Sequence, residues 1–170
     1  TSVGGWPFLK TRNGVMYGDT DIGPTFEAII LGAVRENKYW IDGFDANEPS
    51  DPDCFAVAWD EGGPIREQDM APPGTIPEEQ VQSKTCSACP HNVFGSADTG
   101  KGKACKNSIR MVLLPHNEDA TLDGLETSEG AKLSIASTSL KPWTKYVNDI
   151  GDDKRPLFSV VTAVTAARDS

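Results

Sequence analysis

The stretch Thr25-Phe26-Glu27-Ala28-Ile29-Ile30-Leu31-Gly32-Ala33-Val34-Arg35 decides the fold. Its length allows a helix. Its β-branched and aromatic side chains and its internal glycine favour a strand at the centre of a sheet. The segment before it supports the strand. Phe8-Leu9-Lys10 and Val15-Met16-Tyr17 flank Asn13-Gly14, a pair that tolerates positive φ and closes hairpins. Residues 18–24 read as a further turn. Lys38-Tyr39-Trp40-Ile41 extends the central strand or begins the next one.

Downstream, residues 42–83 are rich in Pro, Gly, Asp and Glu, and only Phe55-Ala56-Val57-Ala58-Trp59 has strand character. An irregular excursion of that length needs something to order it. Ser108-Ile109-Arg110-Met111-Val112-Leu113-Leu114 returns to the core as a strand that Pro115 stops. Residues 117–130 form an acidic loop, and Ala131-Lys132-Leu133-Ser134-Ile135-Ala136 alternates as a half-buried strand. Ser139 suits the cap of a helix from 140 to about 150, with Pro142 in its first turn and Gly151 ending it. Leu140, Trp143, Tyr146, Val147 and Ile150 share one face of that helix. Residues 157–166, rich in Val and Thr, make a last strand. The expected architecture is mainly β: an OB-like five-stranded barrel with one helix before the last strand. It forms a single domain over residues 1–170, with a long zinc-stapled insertion at about 42–107.

The staple rests on cysteine spacing. Cys86-Ser87-Ala88-Cys89 puts two thiolates on one tight turn, the usual half-site of a structural zinc ion, and Cys105 follows 16 residues after Cys89. The fourth ligand is not local. Cys54, the remaining cysteine, gives an all-thiolate site and would also order the excursion; His91 and His116 are the alternatives. Two disulfides would also use four cysteines, but a chain of 170 residues does not depend on staples, and Cys-x-x-Cys favours metal. The expected cofactor is therefore structural Zn2+ on Cys54, Cys86, Cys89 and Cys105.

Charge divides the same region. The whole chain carries −9, yet residues 84–110 hold five basic side chains against Asp98 alone, a net of +4. Residues 42–79 hold eleven acids against Arg66, a net of −10. An acidic arm thus precedes a basic finger. The total argues against indiscriminate polyanion binding, while the finger permits a local contact. No run approaches the ~18 apolar residues of a membrane span, and no signal-peptide pattern is visible. The expectation is a soluble, cytoplasmic protein with no membrane partner.

Enzymatic readings fail on detail. A site of four protein ligands leaves no position for a substrate water. Deaminase-type zinc sites need His-x-Glu ahead of Pro-Cys-x-x-Cys. His91 is followed by Asn92-Val93, and His116-Asn117-Glu118 lies after every cysteine. The glycine-rich run 95–102 has phosphate-loop spacing but ends on Gly102 where Ser or Thr is required. No catalytic residue is assigned.

Single strands are bound by exposed rings and a basic rim. Trp6, Phe8, Tyr17, Tyr39, Trp40, Phe44 and Phe94 are candidate rings, while Trp143 and Tyr146 fit helix packing. The nucleic-acid-binding candidates are Lys10, Arg12, Arg35, Lys38, Tyr39, Trp40, Lys101, Lys103, Lys106 and Arg110. Solvated loop faces would account for the same charges.

Gln82-Ser83, Cys86-x-x-Cys89-Pro90-x-Asn92, Phe94-Gly95-Ser96, Gly100-Lys101-Gly102-Lys103-Ala104-Cys105-Lys106 and Arg110 together resemble a family of bacteriophage proteins. That family is regarded as single-stranded DNA-binding or replication-associated. Asp51-Pro52-Asp53-Cys54-Phe55 is similar to its acidic, Pro-rich segment with an upstream cysteine. Ser139-Leu140-Lys141-Pro142-Trp143-x-x-Tyr146 also matches. The resemblance covers about 8–166, and its specific part is 82–110. It implies a zinc-containing, OB-like protein coating single-stranded DNA in phage replication or recombination, in the cytoplasm of an infected host cell. Phage or host replication and recombination proteins are the further partners it suggests. The other reading is a zinc-stabilised protein–protein adaptor of a phage replication or transcription complex.

Overall fold

The computed structural model describes residues 8–10, 16–17, 20–21, 23–45, 47–59, 70–116 and 130–166. Among them the strands are β1 (Leu9–Lys10), β2 (Met16–Tyr17), β3 (Thr20–Asp21), β4 (Thr25–Tyr39), β5 (Cys54–Trp59), β6 (Lys106–Pro115), β7 (Ala131–Ala136) and β8 (Val161–Thr165). The helix α1 (Leu140–Asp152) precedes β8. No helix of the described residues is long and apolar enough to cross a membrane. The run from Thr25 is thus a strand, and at 15 residues it extends through Tyr39.

β4 organises the sheet. Residues 25–29 pair antiparallel with β8, Thr25 opposite Thr165 and Ile29 opposite Val161. Residues 34–39 pair antiparallel with β5, Val34 opposite Trp59 and Tyr39 opposite Cys54. The path runs β5-β4-β6-β7, giving one antiparallel sheet of five strands. A barrel was expected, and the sheet is not closed into one. Closure requires the pairing to run in a ring. Here β8 pairs with the first part of β4, so it does not join the ends of the path at β5 and β7. β1, β2 and β3 form a separate three-stranded sheet in which Leu9 faces Tyr17 and Met16 faces Asp21. The pairing expected of the first hairpin is therefore present, while its Asn13-Gly14 turn lies outside the described residues. β3 falls in what reads as a turn region in sequence.

The chain divides into two compact units. The first comprises residues 1–33, 110–135 and 141–170; the second comprises 34–109 and 136–140. In the first, Ala28, Ile30, Met111, Leu113, Ala131 and Leu133 are buried, and they alternate along their strands as a sheet with one covered face requires. Tyr146 of α1 shares a hydrogen bond with Thr162 of β8. The helix matches its expected span and runs one residue past Gly151, while Ser139 closes a 3-10 turn that leads into it. Residues 157–159 form a 3-10 turn, so the last strand is shorter than its apolar run.

The second unit contains the excursion. β5 buries Cys54 and Ala56, and Ala56, Met70 and Cys86 form its apolar cluster. The Cys86 amide donates to the Met70 carbonyl at 2.9 Å, tying the cysteine turn to the excursion. On β4, Glu36 is 1% exposed and pairs with the Lys38 ammonium at 2.7 Å.

Candidate metal centre

The four cysteines arrive from three places. Cys54 opens β5 opposite Tyr39. Cys86 starts a 3-10 turn that Cys89 closes, the Cys89 amide donating to the Cys86 carbonyl at 3.3 Å. Pro90–Asn92 forms a second such turn, and the Cys105 amide donates to the His91 carbonyl at 2.8 Å. That last bond brings the end of the finger back beside its start. All four cysteines are buried, none is in a disulfide, and all four line one cavity of about 20 Å³. Such a volume holds roughly one water-sized particle. The lining is otherwise largely apolar or amide in character, with Phe55, Ala56, Pro72, Asn37 and Asn92 contributing.

The sulfurs are close enough to feel one another. Burial pushes the Cys105 thiol up from 9.0 to about 12, with Cys86, Cys89 and Cys54 adding to the shift and Lys103 opposing it. A bound divalent cation would act in the opposite sense and draw the thiols toward thiolates. Among the described residues, no three His, Cys, Asp or Glu side chains stand as a ready-made ligand set. The four cysteines nonetheless line a common space.

The histidines are elsewhere. The His91 ring stacks on Tyr39 with centroids 4.1 Å apart and planes 19° from parallel, and it does not line the cavity. The His116 amide donates to Glu27 in the first unit, and Asn117 and Glu118 lie outside the described residues. Tyr39 is pushed up first by burial, then by the negative charges of Asp98, Cys89, Asp53 and Cys105.

Beyond the cysteines the finger closes on itself. The Gly95 amide donates to the Gly102 carbonyl at 2.7 Å, with both glycines at positive φ (92° and 83°) that a side chain would disfavour. Ser96 Oγ accepts from the Ala104 amide at 3.0 Å and donates to the carbonyls of His91 and Val93. The loop carries Phe94 outward, 78% exposed, with the Lys103 ammonium 5.5 Å from the ring centroid. Lys101 and Lys106 are exposed on the same loop and at its exit.

The remaining nucleic-acid candidates have other local settings. Lys38 is held by Glu36, and burial lowers its pKa. Tyr39 is covered by His91, and Trp40 donates Nε1–H to the Ser50 carbonyl at 3.0 Å with its ring against Phe44. Arg35 and Arg110 are half-buried on β4 and β6. Lys10 lies on β1 in the first unit, while Trp6 and Arg12 lie outside the described residues. Lys101, Lys103 and Lys106 are therefore the candidates that one short loop brings together, with Phe94 as the ring beside them. Sequence reasoning gave no role to Asn37, Asn107 or Asn92, the last quoted only as part of a motif. All three are buried, and the signal available was an amide at a core-facing strand position and two within three residues of a cysteine.

Set against protein-family models, curated proteins and solved structures, the chain matches none.

Proposed function

We infer that the chain is a non-enzymatic single-stranded DNA-binding protein whose contact surface is the finger tip. The observation that carries this reading is Phe94, an aromatic ring 78% exposed with the Lys103 ammonium beside it, on a loop anchored by cysteines at both ends. An exposed ring costs apolar surface in water and gains a base to stack on, while neighbouring cations meet the phosphates. Lys101 and Lys106 supply those cations. The proposed setting is that of the resembling phage family: replication or recombination in the cytoplasm of an infected cell, on an opened, OB-like variant of the sheet.

Structural Zn2+ belongs to the same proposal. Cys54, Cys86, Cys89 and Cys105 would hold it, and it would supply cross-linking of the excursion to the finger. The donor chemistry fits: four buried cysteines line one cavity with room for one small ion, and thiolates are the usual ligands of a structural zinc.

Binding of labelled oligo-dT at low salt tests the function. The expected result is an affinity that falls with added salt, because phosphate contacts release counterions. No binding at low salt, or binding indifferent to salt, counts against it. The adaptor reading draws on a different surface. Asp42, Asp45, Glu48 and Asp51 are exposed beside Phe44, itself 52% exposed. It expects a basic protein partner and no affinity for DNA.

A further inference from the structure

Asn37 is 1% exposed on β4, opposite Ala56, and it lines the cavity of the four cysteines. Its Oδ1 accepts from Asn107 Nδ2 at 2.7 Å. Its Nδ2 is buried with no hydrogen-bond partner among the described residues. A buried amide donor facing nothing is costly, so native structures rarely keep one without a reason.

The orientation of that amide is dictated by a chain of asparagines. Lys103 Nζ can only donate, and it meets Asn92 at 3.0 Å, so the Asn92 atom there is the oxygen. The other end of Asn92 faces the Cys86 carbonyl at 2.8 Å and must be the nitrogen. Asn107 reaches the same Asn92 oxygen at 3.0 Å and therefore presents its nitrogen. That nitrogen also meets Asn37, whose facing atom must then be its oxygen. The remaining Asn37 atom is then a donor, buried on a residue that lines the cavity.

A neutral thiol is a weak acceptor. A thiolate on a divalent cation is a strong one, since four thiolates leave the site with net negative charge, and donors around it orient and stabilise the ligands. Register supports the placement. Asn37, Tyr39, Cys54 and Ala56 share one face of the β4–β5 pair, so Asn37 is the diagonal neighbour of Cys54. We propose that Asn37 is the positioning residue of the metal centre: its side-chain N–H donates to a metal-bound thiolate, and Asn107, Asn92 and Lys103 fix it in that sense. This rests on the four-cysteine zinc reading.

Asn37→Asp tests it, because the substitution keeps the oxygen that Asn107 uses and replaces the donor with an acceptor. The full chain is titrated with Co2+, read by thiolate-to-cobalt absorption, and with Zn2+ against a chromophoric chelator. The expected result is a shifted cobalt band and a loss of roughly 10- to 100-fold in Zn2+ affinity. Wild-type bands with an Asn37→Asp variant unshifted and within about twofold in affinity would overturn the role of Asn37 alone. A wild-type protein that takes up neither metal overturns the zinc reading and this proposal together. If the variant does not fold, 15N-labelled wild-type protein loaded with 113Cd2+ decides. A scalar coupling from cadmium to the Asn37 side-chain amide supports the hydrogen bond, and bound cadmium without that coupling refutes it.

Discussion

Replacing Phe94 by alanine tests binding with little cost to folding. The ring is 78% exposed, so little of its surface is buried against the protein and its loss removes little packing. Lys103 forfeits its place over the ring, 5.5 Å from the centroid, but retains Asn92 at 3.0 Å, which limits the disturbance to the loop. An exposed cation–ring pair is worth about 0.5–1 kcal/mol, an upper bound on the expected stability change. Stacking of one base is worth roughly 1–3 kcal/mol by alanine substitution, equivalent to about 5- to 150-fold in Kd. Anisotropy of a fluorescent oligo-dT should therefore show a weakening in that range, while the thermal midpoint falls by no more than about 2–4 °C and bound zinc stays at the wild-type level. Phe94→Leu should recover little, since it restores apolar bulk without a π-face. A Phe94→Ala protein that binds DNA within twofold of wild type refutes the assignment of the tip as the stacking platform.

Other expectations follow from the same geometry. The double charge reversal Lys101→Glu, Lys106→Glu should weaken DNA binding and flatten the salt dependence. For single strands, each phosphate that a lysine no longer neutralises lowers the slope of log Kobs against log salt by about 0.7, and an unchanged slope would remove these lysines from the interface. Cys54→Ser should drop zinc well below one ion per chain, whereas His91→Ala, whose ring stacks on Tyr39 and does not line the cavity, should leave the metal content intact. Elemental analysis of the two purified variants distinguishes Cys54 from His91 as fourth ligand. The metal-free protein should lose stability in alkali. Folding raises the Cys105 thiol from 9.0 to about 12, so the folded chain keeps a proton that the unfolded chain releases. Its contribution is complete below pH 9 and is lost as pH rises from 9 toward 12. Zinc, which requires the thiolate, should abolish that decline in thermal melts run with and without chelator.

Strand content was legible because burial in a sheet leaves a mark at every second residue. β7 occupies the alternating run 131–136, and β5 and β6 exceed their apolar runs only at the ends. The centrality of the run from Thr25 was legible from its β-branched and aromatic content. Closure was not, because closure is a statement about which strands meet. Nothing in residues 157–166 records that β8 pairs with the first part of β4. Spacing singled out the Cys86–Cys89 pair and Cys105, and those three line one cavity with Cys54. The basic rim was less so. Lys38 and Lys103 look alike in sequence to Lys101 and Lys106, but the first is held by a buried Glu36 and the second by Asn92. Partner identity across β4, or across the finger, is tertiary information that a charge count does not contain.

Lys103 also joins the two halves of the functional reading. Its ammonium lies near the Phe94 ring and donates to Asn92, and Asn92 in turn donates to the carbonyl of Cys86. The ring that would stack on a base is therefore linked, through one lysine and one asparagine, to a cysteine that would hold zinc. A metal that fixes Cys86, Cys89 and Cys105 should also fix the loop between them and so spare DNA binding the cost of ordering it. Chelation should then weaken oligo-dT binding although all four cysteines are buried. The weakening should shrink in a Phe94→Ala background, because the tip has less left to present. A cycle of wild type and Phe94→Ala, each with and without zinc, measures that coupling directly. Equal losses on chelation in both backgrounds would mean that zinc maintains the fold at large and has no particular hold on the tip.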